Sequence, residues 1–369
     1  MPDTLTADLE DGPVASASLS FETVGELEGP GTAERRAILE RPATEAEHGA
    51  LFRAWPLFRQ VEVRPAPQPV DAKASLRVVA WNMERGKYVP PSATILKTLN
   101  PDVCLLSELD VGMARSGQRH TLAELADRTN QGYVYGVEFL EVSLGDERER
   151  EWHAGVDNAR GFHGGGLMSP RTLMRPALVR LESSGYWWQK RFKGQVRVGG
   201  RIAVLASVEV DGRMITVAAP HFESHTDPDH RAEQMAALLA AIEAYSPGAP
   251  VIIGGDVNTN TLGPPTADRE ERRRRLDKGF PGRFADPVRF EPLFEVARAL
   301  GYEWQGCNVA GATTTRTRPD GEPKPPHGKI DWFFTRGLAV SDAAVIPAVD
   351  EDGQAISDHE IIAVSLRPA

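Results

Sequence analysis

The sequence predicts an α/β fold in which two β-sheets pack on each other and helices cover both outer faces, a four-layered sandwich. Three observations lead to this prediction. Strand-like runs outnumber helical patterns, helical patterns keep interrupting them, and 41% of the 369 residues are hydrophobic, which is enough for a large core. Because strands that are apolar throughout need cover on both faces, the pattern favours a sandwich over an all-β barrel or a doubly wound single sheet.

The first part of the chain, residues 1–74, is predicted to be an irregular leader that is partly disordered or strapped onto the core. Glycine and proline are scattered through it with no sustained alternation of apolar and polar residues, and one short helix is expected near 44–52. Regular structure is expected to begin at Ser75, so residues 75–369 form the main domain.

That domain opens with a strand, helix, strand unit. The strands are predicted at 76–81 and 103–106, and the helix between them at 92–99, after two prolines. A helix near 121–129 and strands near 133–139, 167–169, 202–210 and 214–218 follow. The alternation of both element types along the chain is what indicates a mixed sheet.

The clearest helix is predicted at 231–245. Its apolar residues keep the i, i+3, i+4, i+7 spacing, and Asp229 is the expected N-cap; they are Met235, Leu238, Leu239 and Ile242. Such an amphipathic face must pack on a sheet. Strands at 251–254, 330–334 and 361–366 complete the prediction.

Composition narrows the functional classes. The formal net charge of −10 does not favour an electrostatic grip on a long polyanion, because nucleic-acid affinity comes mostly from Lys and Arg. Two cysteines, Cys104 and Cys307, imply no disulfide framework and suit a reducing compartment. No apolar run approaches the ~18 to 20 residues of a membrane span, and no signal-peptide pattern is present. The expected location is the cytoplasm, and the oligomeric state stays open.

Six short pieces of the chain each place metal-binding or phosphate-binding side chains next to an apolar run. They are Asn82 with Glu84, Glu108, His221 with Glu223, Asp256 with Asn258, Asp331, and Asp358 with His359. Since a buried strand that ends in a polar residue puts that residue at the rim of a sheet, these pieces predict one active site.

The sharpest piece is the segment 251–258, in which four apolar or glycine residues and a second glycine lead to Asp256 and Asn258. At positions i and i+2 of an extended chain, the two side chains point to the same side. A carboxylate can take a proton from water or bind a hard cation, and an amide can hold a phosphate oxygen. The alternative is a plain turn, because Gly-Asp and Asn are common turn residues.

The other pieces carry oxygen ligands and imidazoles. Asn82 and Glu108 are of the kind that Mg²⁺ accepts, although a Glu after a strand is also a common solvated cap. Asp331 is surrounded by apolar residues and needs a partner, for which a histidine across the site is suitable. His221 and His359 are the candidates, and a structural hydrogen bond is the alternative for each.

This ordered set resembles the endonuclease/exonuclease/phosphatase superfamily over residues 75–369, which would then form the catalytic domain. The resemblance implies a four-layered sandwich that cleaves phosphoester bonds with Mg²⁺ or Mn²⁺. It also implies roles for the residues above. Asn82 and Glu108 would be metal ligands with Glu84 nearby, and Asp358 an acid on the metal side of the site. Asp256 with Asn258 would activate the water, His359, held by Asp331, would contact the scissile phosphate, and His221 would lie near the leaving group.

The substrate is less defined by the sequence. A phosphodiester cleaved in the manner of a nuclease is expected first, with nucleic acid as a candidate partner; a phospholipid such as sphingomyelin, a small phosphate ester, or a non-catalytic scaffold of the same fold are the alternatives. Arg272 and Arg273, in a run of four arginines, are candidate substrate contacts, or else part of a solvated helix face. The segment 186–188 is a second candidate, for stacking on a base or a lipid surface, or else the edge of a core.

Overall fold

The computed structural model describes residues 18–71, 73–260, 282–283, 286–314 and 328–369. Within these ranges the chain forms two β-sheets packed on each other, with helices on both outer faces. The predicted four-layered α/β sandwich is therefore confirmed. No helix of the described part is long and apolar enough to cross a membrane.

The helices and strands follow the chain in a mixed order. The strands are β1 Ser18–Ser20, β2 Glu22–Val24, β3 Gln60–Arg64, β4 Leu76–Arg85, β5 Val103–Val111, β6 Gly132–Glu141, β7 Phe162–Ser169, β8 Met174–Arg180, β9 Arg197–Gly199, β10 Ile202–Val210, β11 Arg213–Pro220, β12 Val251–Asp256, β13 Asp331–Arg336, β14 Leu338–Ile346 and β15 Ile361–Pro368. The α-helices of the described residues are α1 Thr32–Leu39, α2 Glu45–Ala54, α3 Val89–Leu99, α4 Thr121–Thr129, α5 Glu147–Trp152, α6 Tyr186–Lys190, α7 Pro228–Tyr245 and α8 Leu293–Ala299.

The strands divide between a smaller and a larger sheet. The smaller one has the order β1-β8-β10-β11-β12-β13, and the larger one the order β14-β15-β4-β5-β7-β6-β3-β2, with β9 also paired to β6. Most neighbours are antiparallel, but β4 pairs with β5, β11 with β12, and the short β2 with β3, in parallel. In each of these three pairs the crossover contains at least one helix, namely α3, α7, or α1 with α2, as parallel neighbours require.

Successive side chains of the central strands point alternately into the two cores. Val78 and Ala80 of β4 pack into the cluster that contains β10 to β13 and α7, whereas Val79 and Trp81 pack into the cluster that contains α3 and α4. Because successive side chains of a strand point to opposite faces, a strand covered on both faces must be apolar at every position. This explains why these strands are apolar runs without polar alternation.

The leader is more structured than its sequence pattern indicated. The predicted helix near 44–52 is α2, with Thr44 as its N-cap. In addition, β1 pairs with β8 in the smaller sheet, and β3 pairs with β6 in the larger one, so residues 18–64 contact both sheets. Residues 18–64 therefore contain regular elements that pair with both sheets. The leader as a separate region, and the division of the chain at 74 and 75, stay predictions.

Two helix starts differ from expectation. The first turn of α3 includes Pro90 and Pro91, which were expected to precede the helix; proline is tolerated there because first-turn N–H groups have no acceptor within the helix. For α7 the N-cap is Asp227 and not Asp229: its side chain accepts from the backbone N–H of His230. In both cases the helix begins about one turn earlier than its apolar pattern.

Candidate active site

Two of the parallel strand pairs, β4–β5 and β11–β12, end at the same rim of the sandwich. Asn82 lies near the end of β4 and Glu108 near the end of β5, while His221 follows β11 and Asp256 ends β12. The carboxyl ends of parallel strands are where sites form in α/β folds, because the crossovers return the chain to the opposite edge. The strand ends singled out by the sequence are thus brought together here.

Asp256 is at the centre of the site. Its Oδ2 accepts from Nδ2 of Asn82 at 3.0 Å, and the same oxygen lies 3.7 Å from Nε2 of His221 and 3.8 Å from Nε2 of His359. Only 2% of Asp256 is exposed. Burial raises the pKa of Asp256 to about 6, with the positive charge of His359 acting against it.

Local backbone geometry explains how Asp256 and Asn258 are presented. Gly255 has φ +156, and a Cβ there would lie 2.6 Å from the carbonyl oxygen of Pro220, so only glycine allows β11 and β12 to approach so closely. Asp256 Oδ1 accepts from the backbone N–H of Asn258 at 2.9 Å, and Asn258 Nδ2 donates to the carbonyl of Phe222 at 2.9 Å. The segment is therefore a turn that also holds a carboxylate in place.

His359 and Asp331 form a hydrogen-bonded pair. Nδ1 of His359 lies 2.9 Å from Oδ2 of Asp331, and Thr313 donates its hydroxyl to the same oxygen at 2.6 Å. Burial acts to lower the pKa of His359, but the charges of Asp331 and Asp256 outweigh it and hold that pKa well above its usual range. The raised pKa favours the protonated ring, and Nε2 of His359 faces Asp256.

His221 has a carboxylate partner that the sequence reasoning missed. Nδ1 of His221 lies 3.0 Å from Oε2 of Glu138, in the middle of β6. Glu138 also pairs with Arg201, the residue before β10. The signal for Glu138 was available, because it is an acid enclosed by the apolar run 137–140, the same pattern that singled out Asp331.

The acidic side of the site contains the predicted metal ligands. Nδ2 of Asn82 donates to Oε1 of Glu108 at 3.2 Å, and Oε2 of Glu84 accepts from the backbone N–H of Asp358 at 3.2 Å. Ser357 donates its hydroxyl to the Asn82 carbonyl at 2.8 Å and so ties this edge to the start of β15. Glu108 and Asp358 are half-buried, which leaves their carboxylates accessible from the rim.

Three residues at this rim have backbones in the left-handed region. The φ angles are +44° at Glu84, +53° at Glu108 and +52° at Asn258. L-residues other than Gly, Asn and Asp rarely adopt this region. Glu84 and Glu108 lie where the pairing register of β4 and β5 shifts, which is the mark of a β-bulge, and Asn258 lies just after β12.

A second group of ligand-type atoms is closer together. Single ligand atoms of Asp256, Asp331 and His359 lie within 4.8 Å of one another. Two of these residues are already hydrogen-bonded to each other, and Asp331 also accepts from Thr313, so this group is better suited to holding a proton than a cation.

Other predicted contacts have different outcomes. Arg272 and Arg273 lie outside the described residues. In the segment 186–188, Trp188 is fully buried in the larger sheet's outer core cluster and donates to the carbonyl of Pro42, and Trp187 is 4% exposed in a small aromatic cluster with Phe139 and Phe192. The two tryptophans therefore cover core edges, which was the alternative to base stacking.

The chain was compared with known proteins. It matches the sequence model of the Endonuclease/Exonuclease/phosphatase family over residues 79–359. A comparison with curated proteins finds no match.

Solved structures of this family are similar at low identity. A protein described as an endonuclease/exonuclease/phosphatase from Beutenbergia cavernae DSM 12333 is 19% identical, with 80% of this chain and 72% of that chain covered and a TM-score of 0.50. The catalytic domain of human Nocturnin with bound sulfate is 16% identical, with 85% and 98% covered and a TM-score of 0.48. TDP2 of D. rerio with single-strand DNA product is 17% identical, with 80% and 99% covered and a TM-score of 0.47.

The family match covers about three quarters of the chain and contains every rim residue from Asn82 to His359. The first of the solved structures agrees with it in fold. This chain therefore belongs to the endonuclease/exonuclease/phosphatase family, whose members hydrolyse phosphoric esters.

Proposed function

We propose that this protein hydrolyses a phosphodiester in the manner of a nuclease, with a divalent cation and an activated water. The observation that supports this proposal most is the surrounding of Asp256 Oδ2, which has an amide at 3.0 Å and imidazole nitrogens at 3.7 and 3.8 Å. A carboxylate that lies between two protonated imidazoles is suited to act as a general base beside an anionic, tetrahedral phosphate group.

Asp256 is the candidate general base. A base works best when its pKa lies near the working pH, and burial brings the pKa of this carboxyl to about 6. It would take a proton from water while the water oxygen bonds to phosphorus. Asn258 fixes the carboxylate through its backbone N–H, and Asn82 donates to the second oxygen, so the carboxylate is held in one orientation.

The two histidines are suited to different tasks. His359, kept charged by Asp331, would neutralise a non-bridging phosphate oxygen as negative charge grows there. His221, hydrogen-bonded to Glu138, would give its proton to the leaving oxygen as the phosphorus–oxygen bond breaks. The proton taken by Asp256 and the proton given by His221 balance the hydrolysis.

Residues that would hold the cation are Asn82, Glu108 and Asp358. Their donor atoms are carboxylate and amide oxygens, the kind that Mg²⁺ and Mn²⁺ take in proteins, and the Asn82 and Glu108 side chains touch. When bound, the ion would supply positive charge to the phosphate oxygens. The remaining steps depend on the protein's own side chains.

Substrate assays with and without metal test this proposal. The purified chain is incubated with Mg²⁺, Mn²⁺ or excess EDTA and with single- and double-stranded DNA, RNA, sphingomyelin, a small aryl phosphodiester and a phosphomonoester. Turnover of a diester that EDTA abolishes is the expected result, and turnover of lipid or monoester alone would replace the nuclease-like substrate by one of the alternatives.

Two variants separate the site from its surroundings. Glu108→Ala should weaken metal activation, whereas Glu151→Ala, at an exposed position of α5, should leave it unchanged. Full turnover in EDTA would contradict the metal assignment. Complete inactivity of a folded wild-type chain on every substrate would favour the non-catalytic scaffold.

A further inference from the structure

Arg201 is a buried arginine that the mechanism above does not use. It is 3% exposed and lies directly before β10. Its Nε donates to Oε2 of Glu223 at 2.9 Å, its Nη2 donates to Oε1 of Glu223 and to the Ser224 hydroxyl at 3.3 Å each, and its Nη1 donates to Glu138. Two carboxylates therefore fix the guanidinium from both ends.

The same guanidinium lies against the imidazole of His221. Its Nη1 is 3.1 Å from Nδ1 and also 3.1 Å from Nε2 of that ring. A donor aligned in the ring plane with one nitrogen would lie clearly closer to that nitrogen than to the other. Equal distances therefore place the guanidinium nitrogen over the face of the ring, which leaves both ring nitrogens to their in-plane partners.

The surroundings prevent Arg201 from moving away. Glu223 accepts from the indole N–H of Trp187 at 2.9 Å and from the backbone N–H of His225 at 2.8 Å. The Arg201 guanidinium carbon lies 5.5 Å from the ring centre of Phe139 and 5.9 Å from that of Trp187. The small aromatic cluster that contains Phe139 and Trp187 thus packs against the guanidinium.

We propose that Arg201 is a positioning residue for His221: it holds the imidazole between Glu138 and Asp256 and opposes the hold of these two carboxylates on the ring proton. The proposal rests on the proposed function, in which His221 gives a proton to the leaving oxygen. An imidazolium between two carboxylates keeps its proton too firmly to be a good acid, and a cation over its face loosens that proton.

The charged groups that face His221 come from three elements. Glu138 of β6 lies at Nδ1, Asp256 of β12 lies 3.7 Å from Nε2, and Arg201 before β10 lies over the ring. Burial and Arg201 lower the pKa of His221, Glu138 and Asp256 raise it, and the result lies above the ordinary value. Replacing Arg201 by a neutral residue therefore removes a positive charge that favours proton release from His221.

This arrangement predicts opposite effects from two neutralising changes. Arg201→Gln removes the cation and should raise the pKa of His221 by roughly one unit or more, whereas Glu223→Gln leaves the cation less compensated and should lower it. A matched control is Arg197→Gln. Arg197 is also buried, pairs with Glu141 at 2.6 Å and lies over Trp187 at 4.6 Å, and its contacts in the described residues do not include His221.

The titration is measured by NMR on the full chain with ¹³C-labelled histidine, with and without Mg²⁺. The His221 signal is assigned by its loss in His221→Gln. We expect a higher midpoint in Arg201→Gln, a smaller rise in Arg201→Lys, a lower midpoint in Glu223→Gln and no change in Arg197→Gln. Should Arg201→Gln fail to fold, the Lys and Glu223 variants decide; shifts no larger than that of Arg197→Gln would overturn the proposal.

Kinetics with an accepted substrate separate this inference from the proposed function. Arg201→Gln should lower kcat about tenfold or more with little change in KM and should move the alkaline limb of the pH–rate profile upward. An active wild type with an unmoved profile in Arg201→Gln would overturn the role of Arg201 alone. An inactive wild type with the expected NMR shifts would overturn the proposed function and retain the pairing of Arg201 with His221.

Discussion

His48 of α2 should make the stability of the protein depend on pH. The ring is fully buried, its Nε2 accepts from the backbone N–H of Gly199 at 3.1 Å, and its Nδ1 has no hydrogen-bond partner among the described residues. Burial, with the nearby charge of Arg180, lowers the pKa of His48 from 6.5 to about 4. The folded state therefore requires a neutral ring.

The direction and size of this pH effect follow from the difference between the pKa of His48 in the folded and in the unfolded chain. Because the unfolded chain binds a proton near pH 6.5 and the folded chain only near pH 4, stability is fully present above pH 6.5 and falls as the pH drops toward 4. For this shift the loss from this one residue is about 2 kcal/mol at pH 5 and about 3 kcal/mol at pH 4.

His48→Gln isolates this contribution, since a glutamine oxygen can accept from Gly199 and does not titrate. Urea unfolding of the wild type and the variant is measured from pH 7.5 to pH 4, and the difference between their free energies of unfolding is plotted. We expect the wild type to lose about 2 to 3 kcal/mol relative to the variant across this range. His153→Gln, at a half-buried position after α5, is the control. Parallel curves for wild type and His48→Gln would refute the reasoning.

Three further predictions concern the site and the leader. Asp331→Asn should lower the pKa of His359, move the alkaline limb of the pH–rate profile to lower pH and reduce kcat by about 10²; an unmoved limb would contradict the pairing. Asp256→Asn should reduce kcat by about 10² or more in a chain that still folds; near-native kcat would return Asp256 to a simple turn. Limited proteolysis should spare residues 18–71, and deleting residues 1–71 should lower stability, since Leu57 and Val61 are fully buried; rapid cutting within 18–71 would contradict docking.

Much of the fold was predictable because local pattern and tertiary role agree. The strands β4, β5 and β12 are apolar on both faces, and their ends carry Asn82, Glu108 and Asp256. Whether a residue lies near the end of a strand can be predicted from the neighbouring residues in the sequence alone. The pairing of Asp331 with His359 was implied by the family resemblance, and the two side chains are hydrogen-bonded in the structure.

What could not be predicted depends on pairing between distant segments. Strands β1 and β2 have three residues each, none of them buried, so no alternation marks them, and only their pairing with the edges of β8 and β3 makes them strands. Arg201 is similar. An arginine before a strand is commonplace, and its role comes from Glu138 and Glu223, which lie 63 and 22 residues away.

The left-handed backbones at Glu84 and Glu108 have a consequence for engineering. Each of these backbone conformations lowers the free energy of unfolding by on the order of 1 kcal/mol relative to glycine at the same φ, and the packing of the rest of the sandwich offsets this loss. A glycine at either position relieves the backbone and deletes a carboxylate from the rim. Selection of variants by thermal stability alone would therefore enrich glycine at these positions and yield more stable proteins that lack a carboxylate of the proposed site. A useful thermostabilisation library keeps the rim fixed and varies the sheet edges and loops, where stability and activity do not compete.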